Sequence, residues 1–121
     1  MKSDRSNRIV DRSFDYSVAA IELYRELQLN PVGRILGRQF LRSATSIGAN
    51  VQEAQAGQSK ADFVSKMTIA LKEARESLYW IQLMERATVM PVPRLASIRD
   101  ETDQITRILG AIVVSAKANG K

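Results

Sequence analysis

The chain has 121 residues, of which 45% are hydrophobic, and this indicates one globular domain over residues 1–121 rather than two domains or a disordered chain. With 18 Lys and Arg against 13 Asp and Glu, the net charge of +5 weakly favours polyanionic partners such as RNA, DNA or an acidic protein. The sequence has no cysteine and no histidine, which excludes disulfide and thiolate chemistry and removes the commonest general base and transition-metal ligand.

The first predicted element is an amphipathic helix over residues 8–28. Its apolar positions step by 4, 3, 4, 3 and 4 residues, which is the spacing of one helical face. The predicted core stripe comprises Val10, Phe14, Ser17, Ile21, Tyr24 and Gln28, widened by Val18 and Leu27. The segment "LNPVG" ends this helix, because Asn30 is suited to cap the next helix and Pro31 to begin it.

The second predicted helix spans residues 32–56. Its core stripe comprises Leu36, Phe40, Ala44, Ile47, Val51 and Ala54. Gly37 and Gly48 would each cost about 1 kcal/mol relative to alanine inside a helix. Either a neighbouring helix comes close at these glycines or they are tolerated weak points.

The third predicted helix spans residues 60–88 and opens with "SKAD", in which Ser59 and Asp62 have the spacing of a capping box. Its core stripe comprises Phe63, Met67, Ala70, Ala74, Ser77, Ile81 and Met84. The segment "TVMPVPR" ends it, and a fourth helix follows over residues 93–118. The stripe of that helix comprises Leu95, Ile98, Thr102, Ile105, Leu109, Ile112 and Ala116.

The connections between these helices are only a few residues long, so consecutive helices should be antiparallel neighbours. The predicted fold is therefore all-α, an up-down-up-down antiparallel four-helix bundle with coiled-coil-like packing. The chain shows no alternating strand pattern and no apolar run long enough for a signal peptide or a membrane span. We expect no membrane association and a cytoplasmic location.

A polar stripe runs along the second helix beside its core stripe. Its members are Gln39, Ser43, Ser46, Asn50 and Glu53. In a structural interpretation, Asn50 and Glu53 bond to the third helix, because buried polar groups need partners. The candidate partners there are Lys66, Lys72 and Arg75. The alternatives are a ligand or partner surface, or side chains that are simply exposed.

Arginines form a further stripe on the second helix, beyond the polar one. Arg34, Arg38 and Arg42 step by four residues, so they lie about 6 Å apart along the axis, comparable with the spacing of backbone phosphates. The stripe is either a solvated face or a phosphate-binding surface. In the second case, Arg5, Arg8 and Arg12 of the first helix add positive charge to that surface. The candidate nucleic-acid contacts are Arg34, Arg38, Arg42, Lys60, Lys66 and Arg107.

Two adjacent aromatic residues, Tyr79 and Trp80, flank the stripe of the third helix. They belong to the edge of the core, to a subunit interface or to a platform for stacking bases. No catalytic motif accompanies them: Glu73 and Glu76 are spaced i,i+3 but lack the E-x-x-H pair of a di-iron bundle. We therefore expect no catalytic residues, no metal and no cofactor.

The stretch "SIGANVQEAQAGQSKADFVSKMTIALKEARESLYW" resembles a family of four-helix-bundle proteins encoded in intervening sequences of 23S ribosomal RNA. The resemblance covers about residues 9–115 and is specific between Gln39 and Trp80. The matching positions include Gln39, Leu41, Arg42, Ala44, Ser46, Ile47, Asn50, Val51, Glu53, Ser59, Asp62, Phe63, Ile69, Ala70, Leu71 and Glu76. The chain departs from the family pattern at Ala54, where many members have glycine, and at the pair Lys72-Glu73, where many have Gly-Ser.

The resemblance implies a bundle that assembles into a ring-like homopentamer and has no catalytic activity. Similar proteins, the accessory proteins of diversity-generating retroelements, form a basic barrel that engages a reverse transcriptase and nucleic acid. The leading hypothesis is thus a non-enzymatic oligomer that binds RNA, DNA or a ribonucleoprotein through a basic surface. The alternative is a protein-interaction scaffold that binds no nucleic acid.

Overall fold

A computed structural model describes residues 5–119 of the chain, with side chains for residues 8–119. Four helices follow one another: α1 (Arg5–Leu27), α2 (Pro31–Gln55), α3 (Lys60–Arg86) and α4 (Val92–Ala118). Consecutive helices pack together, and α4 returns to contact α1 most loosely of all. The predicted all-α, antiparallel four-helix bundle is confirmed. None of these helices is both long enough and apolar enough to cross a membrane.

Polar caps begin α2 and α3, as predicted. Asn30 Oδ1 accepts a hydrogen bond from the Gly33 backbone N–H at 2.8 Å, and Pro31 is the first residue of α2. Ser59 Oγ accepts from the Asp62 backbone N–H at 3.0 Å. The Asp62 carboxylate accepts in turn from the backbone N–H of Gln58, one residue before the cap. The bonds from Gly33 and Asp62 satisfy backbone donors that the first helical turn leaves unpaired.

The predicted core stripes of α2, α3 and α4 hold in the structure, except near the helix ends. Leu36, Phe63 and Ala116 are only partly buried, and Val113 replaces Ile112 as the buried residue in the last turns of α4. The fully enclosed side chains include Phe40, Ile47, Met67, Ile81, Met84, Leu95, Ile105 and Leu109. Because these side chains come from three helices and pack into one cluster, the bundle has one continuous core.

Apart from Leu27, which is buried as predicted, the predicted core stripe of α1 is wrong by one position around the helix. Phe14, Val18 and Ile21 are 61%, 44% and 39% exposed. The residues that α1 buries are Ile9, Ser13, Tyr16, Ala20, Leu23 and Leu27. The two stripes have the same spacing of three and four residues and lie side by side, so periodicity alone does not distinguish them.

A buried polar layer, with one residue from each helix, crosses the middle of the core: Tyr16, Ser43, Ser77 and Thr102. The Tyr16 hydroxyl lies 2.6 Å from Thr102 Oγ1, and the hydroxyls of Ser43 and Ser77 lie 2.8 Å apart. Thr102 Oγ1 also donates to the Ile98 carbonyl at 2.6 Å, so Tyr16 is the donor to Thr102. Burial raises the pKa of the Tyr16 phenol well above its ordinary value, and the group stays neutral.

The glycines of α2 lie where α1 comes close, and they are therefore sites of helix approach rather than tolerated weak points. A Cβ atom at Gly48 would lie 3.1 Å from the Ser13 backbone oxygen. A Cβ atom at Gly37 would lie 3.0 Å from Leu27 Cδ1. The absence of side chains at both positions lets α1 and α2 approach closely enough to enclose Leu27 and Tyr16.

Candidate nucleic-acid interface

Two of the three arginines predicted as a ladder on α2 are exposed and form no ion pair with the described residues. The Arg34 side chain is exposed, and its Nη1 donates at 3.3 Å to the carbonyl of Gln28, the residue that follows α1. Arg38 is exposed as well, and among the described residues it forms neither a hydrogen bond nor an ion pair. Both guanidinium groups are therefore available to an anionic partner.

The third arginine of the ladder, Arg42, is instead tied to α3. Its guanidinium group forms a hydrogen-bonded ion pair with Glu76, and its Nη1 lies 3.5 Å from Glu73 Oε1. Glu76 also accepts a hydrogen bond from Trp80 Nε1 at 2.9 Å. The bonds from Trp80 and Arg42 lower the pKa of Glu76, which keeps it charged opposite the arginine. Two α3 carboxylates thus offset the charge of Arg42.

The other candidate contacts lie apart from this ladder. Lys66 Nζ lies 2.9 Å from Glu53 Oε1, and Arg107 Nη2 lies 3.0 Å from Asp103 Oδ2. Lys60 is exposed at the start of α3. Because the helices are antiparallel, Lys60 lies at the opposite end of the bundle from Arg34, about 32 Å away along α2. Within one chain, the six predicted cations do not form a single patch.

The polar stripe of α2 separates into buried and exposed members. Ser43 is enclosed in the polar layer, whereas Gln39 is exposed. Glu53 bonds to Lys66 of α3, as the structural interpretation expects. Asn50 does not reach α3, because its amide donates within α2 to the Ser46 carbonyl at 2.9 Å and to Ser46 Oγ at 3.1 Å. Ser43 is thus the one member of the stripe that the core encloses, and Glu53 remains exposed while it pairs with α3.

The aromatic pair on α3 has one exposed member. The rings of Tyr79 and Trp80 meet edge to face with centroids 5.0 Å apart. Trp80 is half-buried and held by Glu76, while Tyr79 is exposed. The surface offered by the pair is therefore essentially one tyrosine ring, which is small for a stacking platform.

A cleft between α1 and α4 brings Arg107 together with Arg8 and Arg12, so the expectation that Arg8 and Arg12 extend the arginine stripe of α2 is wrong. Arg8, Arg12 and Arg107 line it, and Arg12 is held by Glu101, with Nε 3.0 Å and Nη2 2.6 Å from the carboxylate oxygens. The only available signal was the i,i+4 spacing of Arg8 and Arg12. The side chain of Arg5 lies outside the described side chains. Within the described part of the chain, no three acidic side chains converge as a metal site would require.

Comparison with known proteins gives a family match and a similar solved structure. The family model described as 23S rRNA-intervening sequence protein matches residues 5–111. A protein with unknown function from the S23 ribosomal protein family of Bacteroides thetaiotaomicron has a similar crystal structure, with a TM-score of 0.84. Its sequence is 37% identical, and the match covers 91% of this chain and 98% of that one. No curated protein matches the chain.

Proposed function

This chain belongs to the 23S rRNA-intervening sequence protein family, and on that premise we propose that it is a non-enzymatic homo-oligomer that binds nucleic acid or a ribonucleoprotein through a basic surface. The net charge of +5 per chain supports the proposal, because an oligomer multiplies both the charge and the number of phosphate contacts. A symmetric ring, such as the homopentamer that the family resemblance implies, would repeat each basic group around its axis.

The observation that carries the proposal is the open pair Arg34 and Arg38. Both are exposed on one side of α2 and are spaced about 6 Å apart along its axis. Among the described residues of α2, the one acid is Glu53, which lies toward the other end of the helix and is paired with Lys66. Arg34 and Arg38 therefore present positive charge that no neighbouring acid of α2 offsets.

The double variant Arg34→Gln/Arg38→Gln is expected to weaken binding to a fluorescently labelled single-stranded RNA or duplex DNA. Removal of each phosphate-binding cation should reduce the slope of log K against log salt concentration by about 0.7–0.9. Fluorescence anisotropy over a series of salt concentrations measures both the affinity and the slope. RNA and DNA are tested side by side, since the exposed arginines do not distinguish them.

Arg42→Gln is the matched control, because it removes the same charge from the same helix at an arginine already paired with Glu76. It should change the salt slope less than either Arg34→Gln or Arg38→Gln alone. Absence of binding at low salt, or binding unchanged across several-fold higher salt, would overturn the proposal. Either result would favour the protein-interaction scaffold, in keeping with the cations Arg12, Arg42 and Lys66, which are already paired with acids of other helices.

Self-assembly is proposed through the apolar stripe that α1 leaves uncovered, formed by Val10, Phe14, Val18 and Ile21. Three of these side chains are substantially exposed in the single chain. A contiguous exposed apolar stripe is typical of a surface that another molecule covers. This surface is a stronger candidate than Tyr79 and Trp80, because Trp80 is already half-buried against α3 and bonded to Glu76.

Phe14→Asp is expected to reduce the assembly to smaller species, because a charge in an apolar interface remains desolvated without a partner. Light scattering at micromolar concentration reports this as a fall in mass toward the 13.5 kDa of one chain. Val114→Asp, at an exposed apolar position of α4, is the control and should leave the mass unchanged. A wild-type protein that is monomeric would contradict the proposal. If Tyr79→Asp dissociates the assembly and Phe14→Asp does not, the interface lies on α3 instead.

A further inference from the structure

The cleft between α1 and α4 has the form of a ligand site. It lies at the end of the bundle where α1 begins and α4 ends, and it has a volume of about 620 Å³. Small-molecule sites in proteins commonly measure about 300–1,000 Å³. Its inner wall is apolar and is contributed by α1, α3 and α4: Ile9, Phe63, Met67, Ile108, Ala111 and Ile112.

The polar part of the lining is strongly biased toward positive charge. Arg8, Arg12 and Arg107 reach the cleft, and none of the described residues that line it is acidic. Glu101 and Gln104 hold Arg12 from outside the lining, with bonds to Nε and Nη2 only, so its Nη1 takes part in none of them. The pair of Arg107 with Asp103 is an exposed i,i+4 pair, which contributes little and can exchange for another anion.

We propose that this cleft binds a small amphipathic anion, namely an acyl chain with an acidic headgroup. The apolar wall would gain from burying hydrocarbon, at about 25 cal/mol per Å² of apolar surface removed from water. The guanidinium groups at the rim would form charge-assisted hydrogen bonds with a carboxylate or phosphate. A neutral hydrocarbon would form no hydrogen bonds with the arginines, and a purely polar anion would leave the apolar wall exposed to water. A complementary ligand therefore combines an apolar chain with an anionic headgroup.

Binding of dodecanoate and dodecyl phosphate to the full chain, by isothermal titration calorimetry below the concentrations at which they aggregate, tests the inference. We expect one molecule of either ligand per chain, with binding at least about fivefold tighter than that of methyl dodecanoate, which lacks the charge. The two acidic ligands separate a carboxylate preference from a phosphate preference. Equal binding of the neutral ester, or no binding of either acid, overturns the inference.

Two pairs of variants locate the site. Ala111→Phe places a ring in the cleft and should reduce binding of both acids more than tenfold, whereas Val114→Phe, on the exposed side of α4, should not.

Arg107→Gln should weaken binding of the acids about two- to fivefold and leave the ester unaffected, whereas Arg86→Gln, at the far end of α3, should change neither. Equal effects within each pair would place binding elsewhere and overturn the inference.

The cleft is separate from Arg34 and Arg38, the two arginines that carry the nucleic-acid proposal, whereas Arg107 lines the cleft. The variant Arg34→Gln/Arg38→Gln, which lies at the other end of the bundle, should bind dodecanoate like the wild type. If dodecanoate displaces the labelled RNA that this variant still binds, the arginines of the cleft are phosphate contacts. That result would count against a separate ligand site. Unimpaired RNA binding by Ala111→Phe would support the separation.

Discussion

Phe40→Ala is expected to lower the free energy of unfolding by about 3–5 kcal/mol, the largest effect of any substitution considered for this protein. The ring is completely enclosed by the core and meets the Tyr16 ring edge to face, with centroids 6.5 Å apart. Removal of the ring leaves a cavity lined by side chains that the helices hold in place. Because these side chains cannot move in to fill the cavity, the lost packing energy is not recovered. Equilibrium unfolding in urea measures the change.

Phe14→Ala is the matched control, because it makes the same chemical change at an exposed site of the neighbouring helix. It should alter the stability of the single chain by no more than about 0.5 kcal/mol. If the α1 stripe is an assembly surface, any further destabilisation at Phe14 depends on protein concentration and disappears on dilution, whereas the destabilisation at Phe40 does not. Equal, concentration-independent effects at both positions would mean that α1 is rotated relative to this structure.

Thr102→Val is expected to cost about 1–3 kcal/mol, because it leaves the buried Tyr16 hydroxyl without its acceptor while keeping the shape of the side chain. Tyr16→Phe should cost less, about 1 kcal/mol, because Thr102 still donates to the Ile98 carbonyl. The double variant should therefore resemble Tyr16→Phe alone.

A double-mutant cycle in urea measures the coupling between Tyr16 and Thr102. Additive effects would show that the 2.6 Å hydrogen bond contributes nothing beyond packing, contrary to this prediction. Ser43→Ala offers a comparison within the same polar layer: its hydroxyl lies 2.8 Å from Ser77 Oγ, but Ser77 also donates to the Glu73 carbonyl and so keeps one partner. Ser43→Ala should therefore destabilise the fold less than Thr102→Val.

Much of the candidate site could be anticipated residue by residue, but not how its parts combine. The exposure of Arg34 and Arg38 follows from their place opposite the core stripe of α2. The pairing of Arg42 with Glu76 does not, because it depends on how α3 lies beside α2. For the same reason the grouping of Arg107 with Arg8 and Arg12 around one cleft was not predicted from the sequence, since only the packing of α4 on α1 brings Arg107 to the other two.

The sequence by itself determined the helices, their caps and their order around the bundle. Those features depend on local chemistry: Asn30 and Ser59 cap the helices that follow them, and short connections force neighbours to be antiparallel. Only the tertiary structure decided which of the two apolar stripes of α1 is buried. Both have helical spacing, and the choice depends on the close approach of α1 to Gly48 and on the bond from Tyr16 to Thr102, which are contacts between distant parts of the chain.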